Sequence, residues 1–161
     1  MNDSQQTTLA SICKLLDAND VRYRLIHHEE TRTSKDSARV RGENLRIGGK
    51  ALLVKTEDVF RLFVLSAARK FRSSAIKKHF GCRRVRFASA EELLELTGLV
   101  PGCVPPFGRP ILPFDLFVDD SIVTNERIAF NAGSLTDSII MNVDDYLQIA
   151  TPEVFSFSIE P

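Results

Sequence analysis

Thirteen consecutive residues, Pro101–Pro113 (PGCVPPFGRPILP), hold five of the chain's seven prolines and two of its eight glycines. Each proline restricts φ and removes an amide donor, which bars the stretch from helix interiors and central strands. It is therefore a connection, and connections of this length in a compact domain tend to be functional or disordered. Cys103, Val104, Phe107, Ile111 and Leu112 are apolar, which argues for a stiff loop shaped against a core. The amides of Gly102, Cys103, Val104, Phe107 and Gly108 have no evident ladder partners and are candidates to face a ligand. A rigid crossover between a helix and a strand is the plainer reading of the same residues.

The flanking sequence alternates between helical and extended patterns. Leu9, Ile12, Cys13, Leu15 and Leu16 give Thr7–Asn19 a helical period. Val21–His27 alternates as a strand, and Ser34–Arg41 reads as a helix with Thr33 and Asp36 at its start and Gly42 at its stop. Lys50–Lys55 and Val59–Ser66 read as a hairpin of buried strands. A short basic helix is expected over Ser73–Phe80, then a strand at Val85–Ala88 and a helix capped by Ser89 with Glu92. Beyond the proline loop, strands are expected near Phe114–Val118, Arg127–Asn131 and Asp137–Met141. A helix over Asp144–Ile149 and one strand near Val154–Ser158 follow. Hairpins mixed with crossover helices predict an α/β (α+β) domain with a mixed, curled sheet and peripheral helices, one domain over residues 1–161.

Charge is unevenly distributed although the net charge is zero. Residues 1–86 carry 19 Lys and Arg against 9 Asp and Glu, or +10, and residues 87–161 carry 2 against 12, or −10. Between Arg61 and Arg86 there are nine basic residues and no acid. Either this run forms a phosphate-attracting face, or the two halves interleave and neutralise each other. The N-terminus lacks a secretory pattern, and no apolar run reaches a membrane span, so no membrane association is expected. Cys13, Cys82 and Cys103 are odd in number and lack CxxC spacing, which points to reduced thiols and a cytoplasmic location.

Several chemistries fail on residue identity. Gly48-Gly49-Lys50 cannot be a phosphate loop, because Asn44 stands where the first glycine belongs and Ala51 where a Ser or Thr belongs. His27 and His28 are adjacent and His79 is distant, so no metal site is expected, and no cofactor. Cys103 has no nearby histidine to activate it. Lys50 instead enters the apolar strand Ala51–Val54, with its ammonium at the mouth of an apolar surface. Thr31, Thr33 and Tyr23 are read first as capping or packing residues.

Taken together and in order, Gly48–Lys55 (GGKALLVK), the Gly102–Pro106 loop and the turn at Asn131-Ala132-Gly133 resemble the YbaK and prolyl-tRNA-synthetase-associated editing domains, which are aminoacyl-tRNA deacylases. The resemblance runs from about Tyr23 to Leu147 and rests on the ordered set. It implies a mixed, partly barrel-like sheet with peripheral helices and a free-standing trans-editing deacylase removing a small, wrongly attached amino acid from tRNA. Lys50 matches the family's essential lysine, expected to hold the terminal adenosine phosphate or the acyl region. Gly102, Cys103, Val104, Pro106, Phe107 and Gly108 match the segment that shapes the aminoacyl pocket, and Asn131, Gly133 and Ser134 its other side. Ala51 replaces the threonine often found there, and Asp137 or Ser138 takes the place of an acid present in some members. The partner implied is the acceptor end of aminoacylated tRNA, met by Arg69, Lys70, Arg72, Lys77 and Lys78, with possible association with an aminoacyl-tRNA synthetase. A catalytically silent RNA-binding or synthetase-accessory module and a small-ester hydrolase are the alternatives.

Overall fold

In the structure, a computed structural model describing residues 2–161, helix α1 (Asp3–Ala18) starts at a capping box. The Asn2 side chain accepts from the Gln5 amide, and the Gln5 side chain accepts from the Asn2 amide. This start lies four residues before the expected one, because the cap precedes the first apolar residue of the helical period. Strand β1 (Tyr23–His27) leads to α2 (Ser34–Arg41), a 3-10 turn (Leu45–Ile47), and strands β2 (Gly49–Thr56) and β3 (Val59–Ser66). Then come β4 (Lys70–Phe71), α3 (Ser73–Phe80), β5 (Val85–Phe87) and α4 (Ala90–Thr97). After the proline loop follow β6 (Leu116–Val118), α5 (Asp120–Val123), β7 (Arg127–Asn131), β8 (Asp137–Asn142) and α6 (Val143–Ala150). The chain closes with β9 (Glu153–Val154) and β10 (Ser158–Ile159).

β2 and β3 pair antiparallel from Gly49↔Ser66 to Thr56↔Val59, so only Glu57 and Asp58 form the turn. β5 adds to β2, while β6 and β9 extend the other side in parallel, giving the mixed order β5-β2-β3-β6-β9. Period two distributes these strands between two cores. Leu53, Leu62, Val64, Leu116 and Val118 join Ile12, Leu16, Phe107, Phe130 and Tyr146 on one face. Val54, Phe63, Leu65 and Phe117 meet Ile76 and Phe157 on the other. Phe63 contacts the rings of Phe71, Phe80, Phe117 and Phe157. Burial on both faces explains why Leu62–Leu65 of β3 reads as an unbroken apolar run.

A second sheet, β1-β8-β7, is antiparallel throughout, and a parallel bridge from Gly48 to Ala129 links it to the start of β2. That approach requires Gly49 to lack a side chain, since a Cβ there would lie 2.7 Å from Ile128 Cδ1. Among the described residues the sheets do not close into one hydrogen-bonded ring. The expected terminal strand over Val154–Ser158 is instead two short strands: β9 extends the large sheet, and β10 pairs with β4. Phe155 and Phe157 turn into the aromatic core between them. Among the described residues no helix is long and apolar enough to cross a membrane, and all three cysteines are free thiols.

The chain end is tied down by one buried carboxylate. Asp119, 1% exposed, accepts from the Phe157 amide (2.6 Å), Ser158 Oγ (2.6 Å) and the Ser121 amide (3.0 Å). Burial pushes its carboxyl up, but the hydrogen bonds from Ser121, Ser158 and Phe157 outweigh it and hold it below the ordinary value. A carboxylate so depressed stabilises the fold above its unfolded pKa of about 3.9 and loses that contribution as pH falls through the lower folded value. Asp119→Asn is expected to cost about 1.5–3 kcal/mol at pH 7, the range for hydrogen bonds to a charged group. Urea unfolding in steps from pH 7 to pH 3 should show the gap to the wild type narrowing below about pH 4.

Candidate functional site

A cavity of about 310 Å³ opens where α2, the start of β2 and the proline loop meet. Thr31, Arg32, Thr33, Ser34, Ser37, Ala38 and Arg41 form one wall, and Gly48–Leu52 with Ala67 form the second. Leu45, Gly102, Val104 and Asn131 complete it. The lining contains Arg32, Arg41 and Lys50, and no Asp, Glu, His or Cys. It is thus a cationic recess suited to an electron-rich group.

The expected residues divide between this cavity and its supports. Lys50 lies at the cavity and is exposed. The proline loop turns at Pro101-Gly102 before running on through Cys103 and Val104. Gly102 and Val104 line the cavity, whereas Cys103 between them is wholly buried, its amide donating to Val100 O (3.1 Å) and its sulfur accepting from Gln5 Nε2 (3.4 Å). The Cys103 amide is therefore committed. Those of Gly102 and Val104 have no acceptor among the described residues. Pro106 O accepts from Tyr146 Oη, and Phe107 packs edge-on against Phe130 and Tyr146 within the core. A Cβ at Gly108 would meet Phe114 O at 2.5 Å, and one at Gly133 would meet Thr8 at 2.7 Å. Gly102 itself has φ +91°, a conformation that disfavours any side chain there.

Arg41 is a cavity residue that the sequence left unmarked. It is 9% exposed; Nε donates to Ser138 Oγ (2.9 Å) and Nη2 to Asn131 Oδ1 (3.0 Å). Burial without a compensating acid lowers its pKa to about 10, which still leaves it protonated at neutral pH. Asn131 uses its other end to bind the proline loop, Nδ2 donating to Gly102 O at 2.7 Å. Ser138 also contacts His28 Nε2 (2.8 Å) and donates to Asn131 Oδ1 (3.2 Å). Of the two residues considered for the family's acid position, Ser138 supports Arg41 from behind. Asp137 bonds to His27, Ser134 and Thr136, and Ser134 is held in that same cluster. Thr31 and Thr33 line the cavity as well as bonding locally, Thr31 to Ser37 and Thr33 as cap of α2. Tyr23 bonds to Asp17.

The basic run is partly neutralised. Arg69 pairs with Glu160, Arg84 with Glu57 and Arg86 with Glu92, while Arg61 stacks over Phe80. Lys70, Arg72, Lys77 and Lys78 are exposed.

This fold and cavity have a family. Residues 28–149 match the model of the aminoacyl-tRNA editing domain, and the chain belongs to that family. It is 36% identical over 149 residues to the multifunctional Ser/Thr-tRNA deacylase ProXp-y of Escherichia coli (strain K12), covering 89% of this chain and 88% of that protein. It is also 31% identical over 103 residues to the proline–tRNA ligase of Shouchella clausii, covering 64% of this chain but 18% of the ligase. A solved structure proposed to be a trans-editing enzyme for prolyl-tRNA synthetase superposes with a TM-score of 0.84 at 20% identity, covering 99% of each chain.

Asn131 joins the loop to Arg41, so its removal should be felt as stability. Asn131→Ala is expected to cost about 1.5–3 kcal/mol, because Arg41 is deprived of a charge-assisted acceptor and Gly102 O of its donor. Urea unfolding measures this directly.

Proposed function

We propose that the protein is a free-standing trans-editing deacylase that hydrolyses a small mischarged amino acid from tRNA, with the cavity holding the aminoacylated 3′ end. The observation that carries this is a cationic, acid-free recess bounded by Gly48–Lys50 and Gly102–Val104 in a chain of the editing family. The match to nearly the full length of a Ser/Thr-tRNA deacylase supports serine and threonine as the amino acids removed. The shorter match to a proline–tRNA ligase supports association with a synthetase. The reading treats residues 1–161 as one cytoplasmic editing domain, and the Gly48–Ala129 bridge supports a partly barrel-like roll of its two larger sheets.

The chemistry suits such a site. Water adds to the acyl carbon, and the carbonyl electron pair moves onto its oxygen. Collapse of that species breaks the bond to the ribose oxygen, which takes up the proton that water has given up. An aminoacyl ester is already activated and carries a neighbouring ribose hydroxyl, so positioning and stabilisation of negative charge supply much of the rate. Lys50 holds the adenosine phosphate or the acyl region, and the amides of Gly102 and Val104 face the bound ester. Val104, half-buried in the wall, limits the size of the acyl side chain. Cys103 and Phe107 act through the shape of the loop. Lys70, Arg72, Lys77 and Lys78 meet acceptor-end phosphates, with Arg69 more constrained by Glu160.

A deacylation screen over tRNAs charged with Ala, Ser, Cys, Thr and Pro tests the activity, with turnover of Ser and Thr expected. Lys50→Ala should retain the fold and lower that turnover by ~100-fold or more; an unchanged rate would remove Lys50 from the site. Replacing Lys77 and Lys78 together by Ala should weaken tRNA binding and flatten its salt dependence, by about 0.7 in log–log slope for each phosphate no longer neutralised. Hydrolysis of an aminoacyl-adenosine, which lacks those phosphates, should be nearly unaffected. A silent module would bind tRNA without turnover, and a small-ester hydrolase would show no salt-sensitive tRNA binding.

A further inference from the structure

A buried cation normally faces an acid. Arg41 has none: burial alone shifts its pKa, and its two hydrogen-bond partners, Ser138 and Asn131, are neutral. A guanidinium carries five N–H donors, of which Nε and one on Nη2 are used here. Among the described residues Nη1 makes no hydrogen bond, yet no fully buried side-chain nitrogen there lacks a partner. Nη1 is therefore open, and Arg41 lines the cavity. Keeping this charge buried and unpaired costs stability, and the fold places it at a recess where a bound group could compensate it.

We propose that Arg41 is a catalytic residue, its Nη1 donating to the ester carbonyl oxygen and stabilising the oxyanion that forms there. This rests on the deacylase reading above. Burial separates its role from that of Lys50. A charge in a low-dielectric wall acts strongly on a developing oxyanion, whereas an exposed ammonium at the rim suits a solvated phosphodiester. Ser138 and Asn131 hold the guanidinium before substrate arrives, so little reorganisation is needed as charge develops. The lining offers no carboxylate to quench it, and Arg32, the other arginine of the wall, is paired with Glu30.

The substrate for the test is 2′(3′)-O-seryl-adenosine, which has an ester and no phosphate. Arg41→Met, with a melting transition confirming the fold, is expected to lower kcat by ~100-fold or more with KM little changed. Arg41→Lys should recover only part of this, since a point charge cannot span both Ser138 and Asn131. Methylguanidinium added to Arg41→Ala should restore measurable turnover, which a purely structural arginine would not permit. A folded Arg41→Met with unchanged kcat, an effect confined to KM, or no rescue of Arg41→Ala overturns the proposal. Inorganic phosphate provides an arm independent of turnover: it should raise the melting temperature of the wild type and not of Arg41→Met. An active wild type with no Arg41-dependent phosphate effect overturns the role of Arg41 alone. A wild type that shows the phosphate effect but hydrolyses neither seryl-adenosine nor Ser-tRNA overturns the deacylase reading and the catalytic role with it.

Discussion

Two-sided burial of the β2–β3 pair is the constraint from which the rest of the molecule follows. Eight consecutive residue pairs join these strands, and their alternate side chains feed separate cores. One core takes α1, α6 and the proline loop, and the other takes α3 and the phenylalanines of the chain end. Neither layer can shift without exposing the other face of the same strands. The cavity lies at the start of β2, where Gly48 and Gly49 free it from side-chain packing. One strand thus passes from rigid core to open recess within a few residues, and Lys50 is carried on a support that has little freedom.

Electrostatics at the recess depend on what is missing from its wall. The molecule as a whole is neutral, and several of its basic residues are paired on the surface. Exposed pairs of this kind contribute little to stability. The cavity differs at Arg41, which meets an amide and a hydroxyl, while Asp137 is committed to His27, Ser134 and Thr136 and Glu30 to Arg32. Local potential there is set by Arg41 and Lys50, whatever the total charge of the chain.

Elements with local punctuation were legible in the sequence. Ser34–Arg41, Val59–Ser66, Ser73–Phe80 and Arg127–Asn131 fall where caps, glycines and apolar period put them. The elements missed are short or made by distant partners: β4 exists because β10 pairs with it, and α5 is one turn held by Asp119. In the cavity wall, Lys50 was legible from strand period, Gly102 and Val104 from the proline loop's free amides, and Asn131 from the family resemblance alone. Arg41 was not. In sequence it is a basic residue in the last turn of a short polar helix, ordinary for a solvated C-terminus. Partners distant in the chain, Asn131 of β7 and Ser138 of β8, are brought across it by the fold. Its available signal was the unpaired hydrogen-bonding capacity of Asn131 and Ser138, which has no sequence period.

The Gly102–Val104 segment ties two histories together. Substrate meets one side of this thread and the hydrophobic interior meets the other, with a single residue between neighbouring cavity positions. A lineage exploring a new acyl group by altering Val104 moves Cys103, and with it the contact to α1 made through Gln5. Changes of preference in such a protein are therefore expected to arrive with companion changes on the first helix, far away in the chain and adjacent in space.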